Sequence, residues 1–226
     1  MRTIPWAALA ALAAAGCGPD GPVPVDAAID APADGPHGCQ LAFLGDRSKA
    51  PEISVTVLGA APPAVAVADG DTVPLIFPPQ GGRVIFAGVR VHNMDPCGAQ
   101  LGGALRDTQS QQVRLDARTI NLLPASDGWG ESDATDYSSF SNIPVCPNQW
   151  SKTDIYGTSY QLEITVTDRG GRVAGKKLQV TPACAEPDRL NECLCICKAG
   201  YVLGMSCSSA DAGADGGDAG DGGDAQ

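Results

Sequence analysis

The sequence predicts an all-β domain of the sandwich type, and three observations predict it. Apolar residues recur at every second position in several segments, as they do on a strand with one buried face. Almost no segment shows the 3.6-residue repeat of an amphipathic helix. Glycines and prolines separate the apolar runs at short intervals, so the strands are short. About seven such strands over roughly 130 residues favour one β-sandwich.

The first strands are predicted in the N-terminal half of this region. Apolar and hydroxyl residues alternate over 53–57, and short apolar pieces follow at 65–67 and 73–77. Prolines and a glycine between these pieces are typical of edge strands. A longer strand over 84–92 places four residues on one face, which we expect to be buried: Ile85, Ala87, Val89 and Val91.

The next strand is predicted around 113–118, where apolar and charged residues alternate. Val113, Leu115 and Ala117 lie on one face of this strand. Its other face holds Arg114, Asp116 and Arg118. The pattern predicts that the apolar face packs in the core and that the charged face meets water.

A β-hairpin is the clearest element of the sequence. Residues 160–167 alternate strictly between apolar and polar, and Asp168-Arg169-Gly170-Gly171 then supplies turn residues. Leu178 and Val180 continue the pattern on a return strand. This order of strand, turn and strand predicts an antiparallel pair.

This hairpin carries a family resemblance that covers roughly residues 72–184. The run from Tyr160 to Asp168, followed by Gly-Gly-Arg, resembles the last hairpin of immunoglobulin-like and polycystic-kidney-disease-like domains. Asp154, Gly157 and Tyr160 are similar to a tyrosine corner. The resemblance implies an immunoglobulin-like β-sandwich over 39–184. Leu162 stands where an immunoglobulin domain has its second core cysteine, so the usual inter-sheet disulfide is not expected.

The N-terminus has the features of a bacterial export signal. Arg2 precedes an apolar run that ends at Ala15, and this run is too short to cross a bilayer as a helix. The sequence Ala14-Ala15-Gly16-Cys17 resembles a lipobox, which implies removal of residues 1–16 and acylation of Cys17, for example by palmitate. The alternative is ordinary cleavage after Ala15, which releases a soluble protein with a spare thiol.

Two acidic tethers are predicted to flank the domain. Residues 17–38 are rich in Pro, Ala, Gly and Asp, and residues 208–226 are rich in Asp, Ala and Gly. Neither segment can build a core, so both are expected to be disordered. Residues 18–38 and 210–226 together carry nine acidic residues and no Lys or Arg, which explains most of the net charge of −11. The remaining domain is only mildly acidic, and its pattern excludes a nucleic-acid footprint.

The cysteines predict a disulfide framework. The chain has nine cysteines, and lipidation of Cys17 leaves eight that can pair in an oxidising compartment: Cys39, Cys97, Cys146, Cys184, Cys193, Cys195, Cys197 and Cys207. Five of them cluster near the C-terminus, so complete pairing needs at least one bridge from this cluster to the body of the domain. Cys97 with Cys146 is the preferred body pair, with Cys39 left for the cluster. Sequence alone leaves 105 connectivities open.

The C-terminal cluster has a resemblance of its own. Cys195 and Cys197, followed by Gly200-Tyr201 and then by Cys207, fit the C-x-C-x-x-G-Y ending of an EGF-like module. The resemblance implies a small disulfide-rich knob over 185–207, described as an EGF-like fragment. Thiolates also bind soft metal ions, but disulfides are favoured in an exported protein, so no metal site is predicted.

The sequence gives little support for catalysis. The chain has two histidines, His37 in the linker and His92 near a strand end. General acid–base chemistry requires groups held within hydrogen-bond reach, which a flexible linker does not provide. No zinc-protease or nucleophile-elbow motif is present. We therefore expect no enzyme, with a hydrolase that uses Asp and Glu alone as the least favoured alternative.

The long connection over 123–159 is the predicted binding region. It places aromatic residues among small polar ones, which is the composition of a recognition surface for protein or glycan. The candidate binding residues are Trp129, Asp133, Asp136, Tyr137 and Trp150. The alternative is that the two tryptophans only cap an open end of the sandwich. No cofactor is expected, although Asp127 and Glu131, with the two candidate aspartates, offer oxygens to a calcium ion.

These expectations combine into one functional hypothesis. The sequence favours a non-enzymatic lipoprotein, anchored to the bacterial outer membrane or cell surface, that presents an immunoglobulin-like module for adhesion or ligand binding. A structural component of the envelope, with buried tryptophans and no soluble ligand, is the alternative.

Overall fold

Two curled β-sheets form the part of the chain that the computed structural model describes, residues 39–207. The predicted signal peptide, Cys17, the linker over 17–38 and the tail over 208–226 lie outside the described residues. The strands are β1 (Glu52–Leu58), β2 (Val65–Ala66), β3 (Thr72–Leu75), β4 (Arg83–His92), β5 (Ala99–Arg106), β6 (Val113–Ile120), β7 (Leu123–Pro124), β8 (Gly130–Glu131), β9 (Ser141–Cys146), β10 (Tyr160–Thr167) and β11 (Val173–Cys184). One α-helix, α1 (Leu190–Cys197), follows. Within 39–207, no helix is long and apolar enough to cross a membrane. For residues 39–207, the prediction of an all-β fold is confirmed.

The strand order differs between the two sheets. The first sheet has the order β2-β1-β4-β8-β7, and β9 also pairs with β4. The second sheet has the order β3-β11-β10-β5-β6. β3 and β11 are parallel, whereas the other pairs are antiparallel. A bridge between Ile76 and Val84 joins the sheets along one seam.

The core lies between the sheets, and β4 contributes most to it. The predicted buried face of β4 is present, since Ile85, Ala87, Val89 and Val91 are fully buried. The first half of β4 is buried on its other side too, where Phe86 packs in a second small cluster with Phe140. After the buried Arg83, this strand is therefore apolar on both sides over its first half and amphipathic towards its end.

The predicted orientation of β6 is wrong. The side chain of Leu115 is 65% exposed, and Ala117 is also exposed. Asp116 instead turns towards β9, where its carboxylate accepts the backbone N–H of Asn142 at 2.8 Å and pairs with Arg118 at 2.8 Å. Partial burial of this charged face is tolerated because the Asp116 carboxylate is paired with Arg118 and hydrogen-bonded to β9.

The predicted hairpin of β10 and β11 is confirmed. Leu162 pairs with Leu178, and Tyr160 pairs with Val180. The turn is closed by Asp168, whose carboxylate accepts the backbone N–H of Arg172 at 2.9 Å. The apolar residues of this hairpin are buried and its polar residues face outwards, as the alternation predicts.

A buried polar network holds the connection between β9 and β10. The hydroxyl of Tyr160 lies 2.9 Å from the Ser151 hydroxyl and 3.1 Å from the Asp154 carbonyl oxygen. The Ser151 hydroxyl donates to the Asp107 carboxylate at 3.0 Å. Burial opposes ionisation of Asp107, but hydrogen bonds from Gln109, Ser110 and Ser151 outweigh it and lower the pKa of this carboxyl.

All eight described cysteines form disulfides, although not in the predicted pairing. The bridges are Cys39–Cys97, Cys146–Cys197, Cys184–Cys193 and Cys195–Cys207. The preferred pair of Cys97 with Cys146 is wrong because β4 separates them. Cys146 lies beside Arg83 at the start of β4, whereas Cys97 follows the other end, roughly 30 Å away for a strand of this length. The expected bridge between cluster and body exists, and it is Cys146–Cys197.

Helix α1 explains how three cysteines in close succession reach three different partners. Cys193 and Cys197 are one helical turn apart and both are buried, so they face the sandwich. Cys195 points away from that face and binds Cys207. The segment that resembles an EGF-like ending thus begins on a helix that is fastened across the end of the sandwich.

Candidate functional site

Trp129 lies on the hairpin that joins β7 and β8. The backbone N–H of Ala125 donates to the Trp129 carbonyl at 2.7 Å, and that of Gly128 donates to the Ala125 carbonyl at 3.1 Å. The Asp127 carboxylate accepts the Trp129 backbone N–H at 3.2 Å. These three hydrogen bonds fix the loop that carries the indole.

Two side chains of β4 contact the indole of Trp129. The imidazole of His92 stacks on it, with ring centroids 5.5 Å apart and an angle of 20° between the planes. The guanidinium of Arg90 lies 5.6 Å from the indole centroid, within cation–π range. Arg90 and His92 are two positions apart on a strand, so they project from the same face. Trp129 is therefore partly buried and held in one orientation.

Carboxylates complete this cluster, which we call the Trp129 patch: Arg90, His92, Asp127, Trp129 and Glu131. Arg90 donates to Asp127 at 2.6 Å and lies 3.3 Å from a carboxylate oxygen of Glu131. The hydrogen bond from Arg90 lowers the pKa of Asp127, and the backbone N–H of Trp129 lowers it further. The patch thus combines an aromatic surface, a cation and two anions at fixed positions.

Asp133, Asp136 and Tyr137 lie together in the segment between β8 and β9. The Asp133 carboxylate accepts from the backbone and hydroxyl of Thr135, and the Asp136 carboxylate does the same with Ser138. The hydrogen bonds from Ser138 lower the pKa of Asp136. Both aspartates line a cavity of about 260 Å³ with other residues of this segment, of β6 and β7, and of the turn between those two strands: Thr119, Ile120, Asn121, Leu123, Ser138 and Ser139.

Tyr137 is the exposed member of this group. Its side chain is 48% exposed and its ring packs against Phe86 with centroids 4.9 Å apart. The short 3-10 helix that carries it is capped by Asp136. Its ring is thus packed on one side and open to solvent on the other.

Trp150, the fifth candidate binding residue, lies in the core and not at the surface. It is only 7% exposed, its indole N–H donates to the Val145 carbonyl at 2.9 Å, and its ring packs against Tyr160. The connection over 123–159 contains β7, β8 and β9 rather than one long loop, and the chain after β9 returns Trp150 to the core. Its large apolar surface makes this burial favourable.

The acidic residues of this region do not converge on a common point. Across residues 39–207, no group of three or more His, Cys, Asp or Glu side chains is placed to hold a metal ion. Asp127 and Glu131 contact Arg90, whereas Asp133 and Asp136 cap local turns. The region instead presents an aromatic ring with charged hydrogen-bonding neighbours.

Sequence reasoning missed the role of Arg90. One signal was present, because the inward alternation over 84–92 places Arg90 and His92 together on the outward face of β4. Their contact with a tryptophan more than thirty positions later depends on the pairing of β8 with β4. That pairing has no local signature.

Comparison of the chain with known proteins finds no family model, no curated protein and no solved structure that matches it.

Proposed function

We propose that this protein is a non-enzymatic bacterial lipoprotein that presents a β-sandwich at the outer membrane or cell surface and binds a surface protein or glycan through the Trp129 patch. The observation that carries the proposal is the fixed, partly exposed indole of Trp129 among charged hydrogen-bonding groups. A preorganised aromatic ring supplies contact area at low entropic cost.

An immunoglobulin-like fold is part of the proposal. The order β3-β11-β10-β5-β6, with β3 parallel to β11 and the other neighbours antiparallel, supports it. The hydroxyl of Tyr160, at the start of β10, lies 3.1 Å from the carbonyl of Asp154 six residues upstream. This contact is what a tyrosine corner requires.

The lipid anchor at Cys17 is supported by the disulfides. The eight cysteines of 39–207 pair with one another, so none of them needs Cys17 as a partner. Acylation then gives Cys17 a role, and the buried acyl chains hold the protein on the membrane.

In this arrangement, the linker keeps the Trp129 patch accessible to a partner. Cys39, the first described residue after the linker, is bound to Cys97 beyond the end of β4 that carries His92, so Cys39 and the Trp129 patch lie at the same end of the sandwich. At half of full stretch, a chain of the length of 17–38 spans a few tens of Å. It therefore gives a partner room to reach the patch.

One observation favours the alternative of a purely structural envelope component. Burial of Trp150 is what that alternative expects. The partly exposed Trp129 is what the binding proposal expects, so the proposal rests on Trp129 and not on both tryptophans.

The anchor is tested by expressing the full chain in bacteria fed an alkyne-labelled palmitate. We expect the label on the wild-type protein, and we expect Cys17→Ser to lose both the label and the membrane association. Equal fractionation of the two proteins, without label, would establish ordinary cleavage instead.

The binding role is tested on arrays of immobilised glycans and surface proteins. We expect Trp129→Ala to weaken binding at least tenfold, because the indole supplies the main contact surface. Val202→Ala changes an equally apolar, exposed residue of the C-terminal knob and serves as the control. Equal binding by wild type and Trp129→Ala would refute the role of the patch.

A further inference from the structure

The cavity beside Asp133 and Asp136 has a buried floor and an exposed rim. Ile120 is 5% exposed and Ser139 is 7% exposed, so these two residues form the floor. Asn121 and Asp136 are exposed and lie at the rim. We call this space, with its volume of about 260 Å³, the polar cavity.

The side-chain hydroxyl of Ser139 is a polar group on this buried floor that lacks a partner within the fold. Ser139 donates its backbone N–H to the Asp136 carbonyl at 3.0 Å, but its side chain forms no hydrogen bond with any residue of 39–207. Buried hydroxyls are normally hydrogen-bonded, because the loss of their contacts with water is otherwise uncompensated. Ser139 lines the polar cavity, so a partner for its hydroxyl must come from within that space.

Two more side chains of the polar cavity have hydrogen-bonding groups that the fold does not use. The Asp133 carboxylate accepts both hydrogen bonds from Thr135 through Oδ1, and its Oδ2 accepts none within 39–207. The Asn121 side chain accepts the backbone N–H of Gly98 through Oδ1 at 2.8 Å, and its amide N–H groups have no partner in the same range. The polar cavity thus offers a carboxylate acceptor, an amide donor and a hydroxyl that can act as either.

This mixture of donors and acceptors suits the hydroxyl groups of an uncharged sugar. Each sugar hydroxyl both donates and accepts, so neighbouring hydroxyls of one ring can pair with all three groups. An ammonium group only donates and would leave the Asn121 amide without an acceptor. An anionic sugar would be repelled by Asp133 and Asp136, since no Lys or Arg of residues 39–207 lines the cavity. The volume is just below the roughly 300–1,000 Å³ of sites that enclose a drug-sized ligand, which suits a single ring.

The polar cavity and the Trp129 patch lie on one continuous surface of the first sheet. Leu123 lines the cavity and pairs with Glu131, which in turn pairs with Arg90 of the patch. Residues paired directly across a sheet project from the same face, and the Glu131 carboxylate indeed lies 3.3 Å from Arg90 Nε. Two strand spacings, roughly 10 Å, separate Leu123 from Arg90. One sugar ring does not cover this span, whereas two or three linked rings do.

We infer that the ligand of this protein is an uncharged oligosaccharide that occupies two adjacent subsites. One ring stacks on the indole of Trp129. A neighbouring ring enters the polar cavity and hydrogen-bonds to Asn121, Asp133 and Ser139. The inference rests on the proposed binding role of the Trp129 patch, and it adds the class of ligand and a second point of contact. The indole supplies apolar contact area, whereas the polar cavity supplies the hydrogen bonds that select among sugars.

The test is titration calorimetry of the full exported chain with a panel of purified uncharged oligosaccharides of one to four rings, built from hexoses or N-acetylhexosamines. We expect affinity to rise about tenfold or more between one ring and three, because the longer ligand reaches both subsites. Ser139→Ala and Asp133→Asn should each remove most of that gain, whereas Trp129→Ala should weaken binding at every length. Sugars that carry carboxylate or sulfate groups should bind more weakly than their uncharged counterparts.

Two controls separate loss of a binding group from damage to the fold. Ser139→Ala should keep the wild-type melting temperature, since the lost hydroxyl has no partner within 39–207. Asp71→Asn is the matched control for Asp133→Asn, because Asp71 also accepts a backbone N–H in a local turn but precedes β3, at the opposite edge of the second sheet from β6. We expect it to bind every ligand like the wild type.

The inference is overturned if no uncharged oligosaccharide binds, if affinity does not rise with length, or if Ser139→Ala and Asp133→Asn keep the full gain. Failure of the proposed function gives a different result, since Trp129→Ala would then bind glycans and proteins as the wild type does. Capture of a surface protein through Trp129, with no uncharged glycan bound, would leave the proposed function standing and reject this inference.

Discussion

Replacement of Tyr160 by phenylalanine should destabilise the domain without creating a cavity. The change removes one hydroxyl from the buried network of Tyr160, Ser151 and Asp107 and leaves the ring in place against Trp150. The Asp154 carbonyl loses a neighbour at 3.1 Å, and the Ser151 hydroxyl loses one at 2.9 Å.

The magnitude follows from the cost of leaving buried polar groups without partners. Such a loss amounts to about 1–3 kcal/mol. For a folded region of this size, each kcal/mol corresponds to roughly 2–4 °C in melting temperature. A central value of about 2 kcal/mol therefore predicts that Tyr160→Phe melts about 4–8 °C below the wild type.

Thermal unfolding followed by circular dichroism, with the disulfides intact, measures this difference. Tyr137→Phe removes the same atom from an exposed side chain and is the control, with an expected change close to zero. Asp107→Asn and the double variant complete a cycle in which the two effects should not add, because the groups share one network. A Tyr160→Phe variant with the same melting temperature as Tyr137→Phe would refute this account of the network.

Three further results are expected. Folding lowers the pKa of Asp107, so this carboxylate contributes its full stability above about pH 4, and that stability is lost as the pH falls through the pKa of the folded state. Asp107→Asn should therefore flatten the acid side of a plot of unfolding free energy against pH, measured by urea unfolding. Joint replacement of Cys146 and Cys197 by alanine should lower the free energy of unfolding by about 4 kcal/mol, since that bridge closes a loop with a sequence separation of 51, and chemical denaturation measures it. Gly88→Ala should cost about 1–3 kcal/mol in the same assay because its methyl group would meet the Phe140 ring; an unchanged midpoint would contradict that packing.

Local sequence patterns correctly predicted the strands whose apolar side is buried and whose polar side faces outwards. The hairpin of β10 and β11 follows from strict alternation and a glycine-containing turn, and the structure pairs Leu162 with Leu178. β6 has an equally clean alternation, yet its orientation came out reversed. Periodicity shows that a strand has two unlike faces, but which face is buried depends on the neighbours. For β6 those neighbours are Ser141 and Asn142, which bind Asp116.

The sequence could not predict which of two tryptophans is exposed, because that also depends on long-range neighbours. Trp129 and Trp150 both lie in the connection over 123–159, among similar polar residues. β8 pairs with β4 and brings Trp129 to the surface beside Arg90, whereas the return of the chain to β10 buries Trp150. The disulfide pairing likewise depends on which end of β4 each cysteine reaches.

Three of the four disulfides also define how the protein would carry mechanical load. Tension between residue 39 and residue 207 passes directly to Cys97, then from Cys146 to Cys197, and from Cys195 to Cys207. Residues 40–96 and 147–194 are bypassed by covalent links, so β1 to β4 and the hairpin of β10 and β11 bear no extension. Only about 50 residues, at most about 170 Å of chain, can be drawn out before a covalent bond must break. A domain stretched between residues 39 and 207 would therefore yield first in the strands between Cys97 and Cys146.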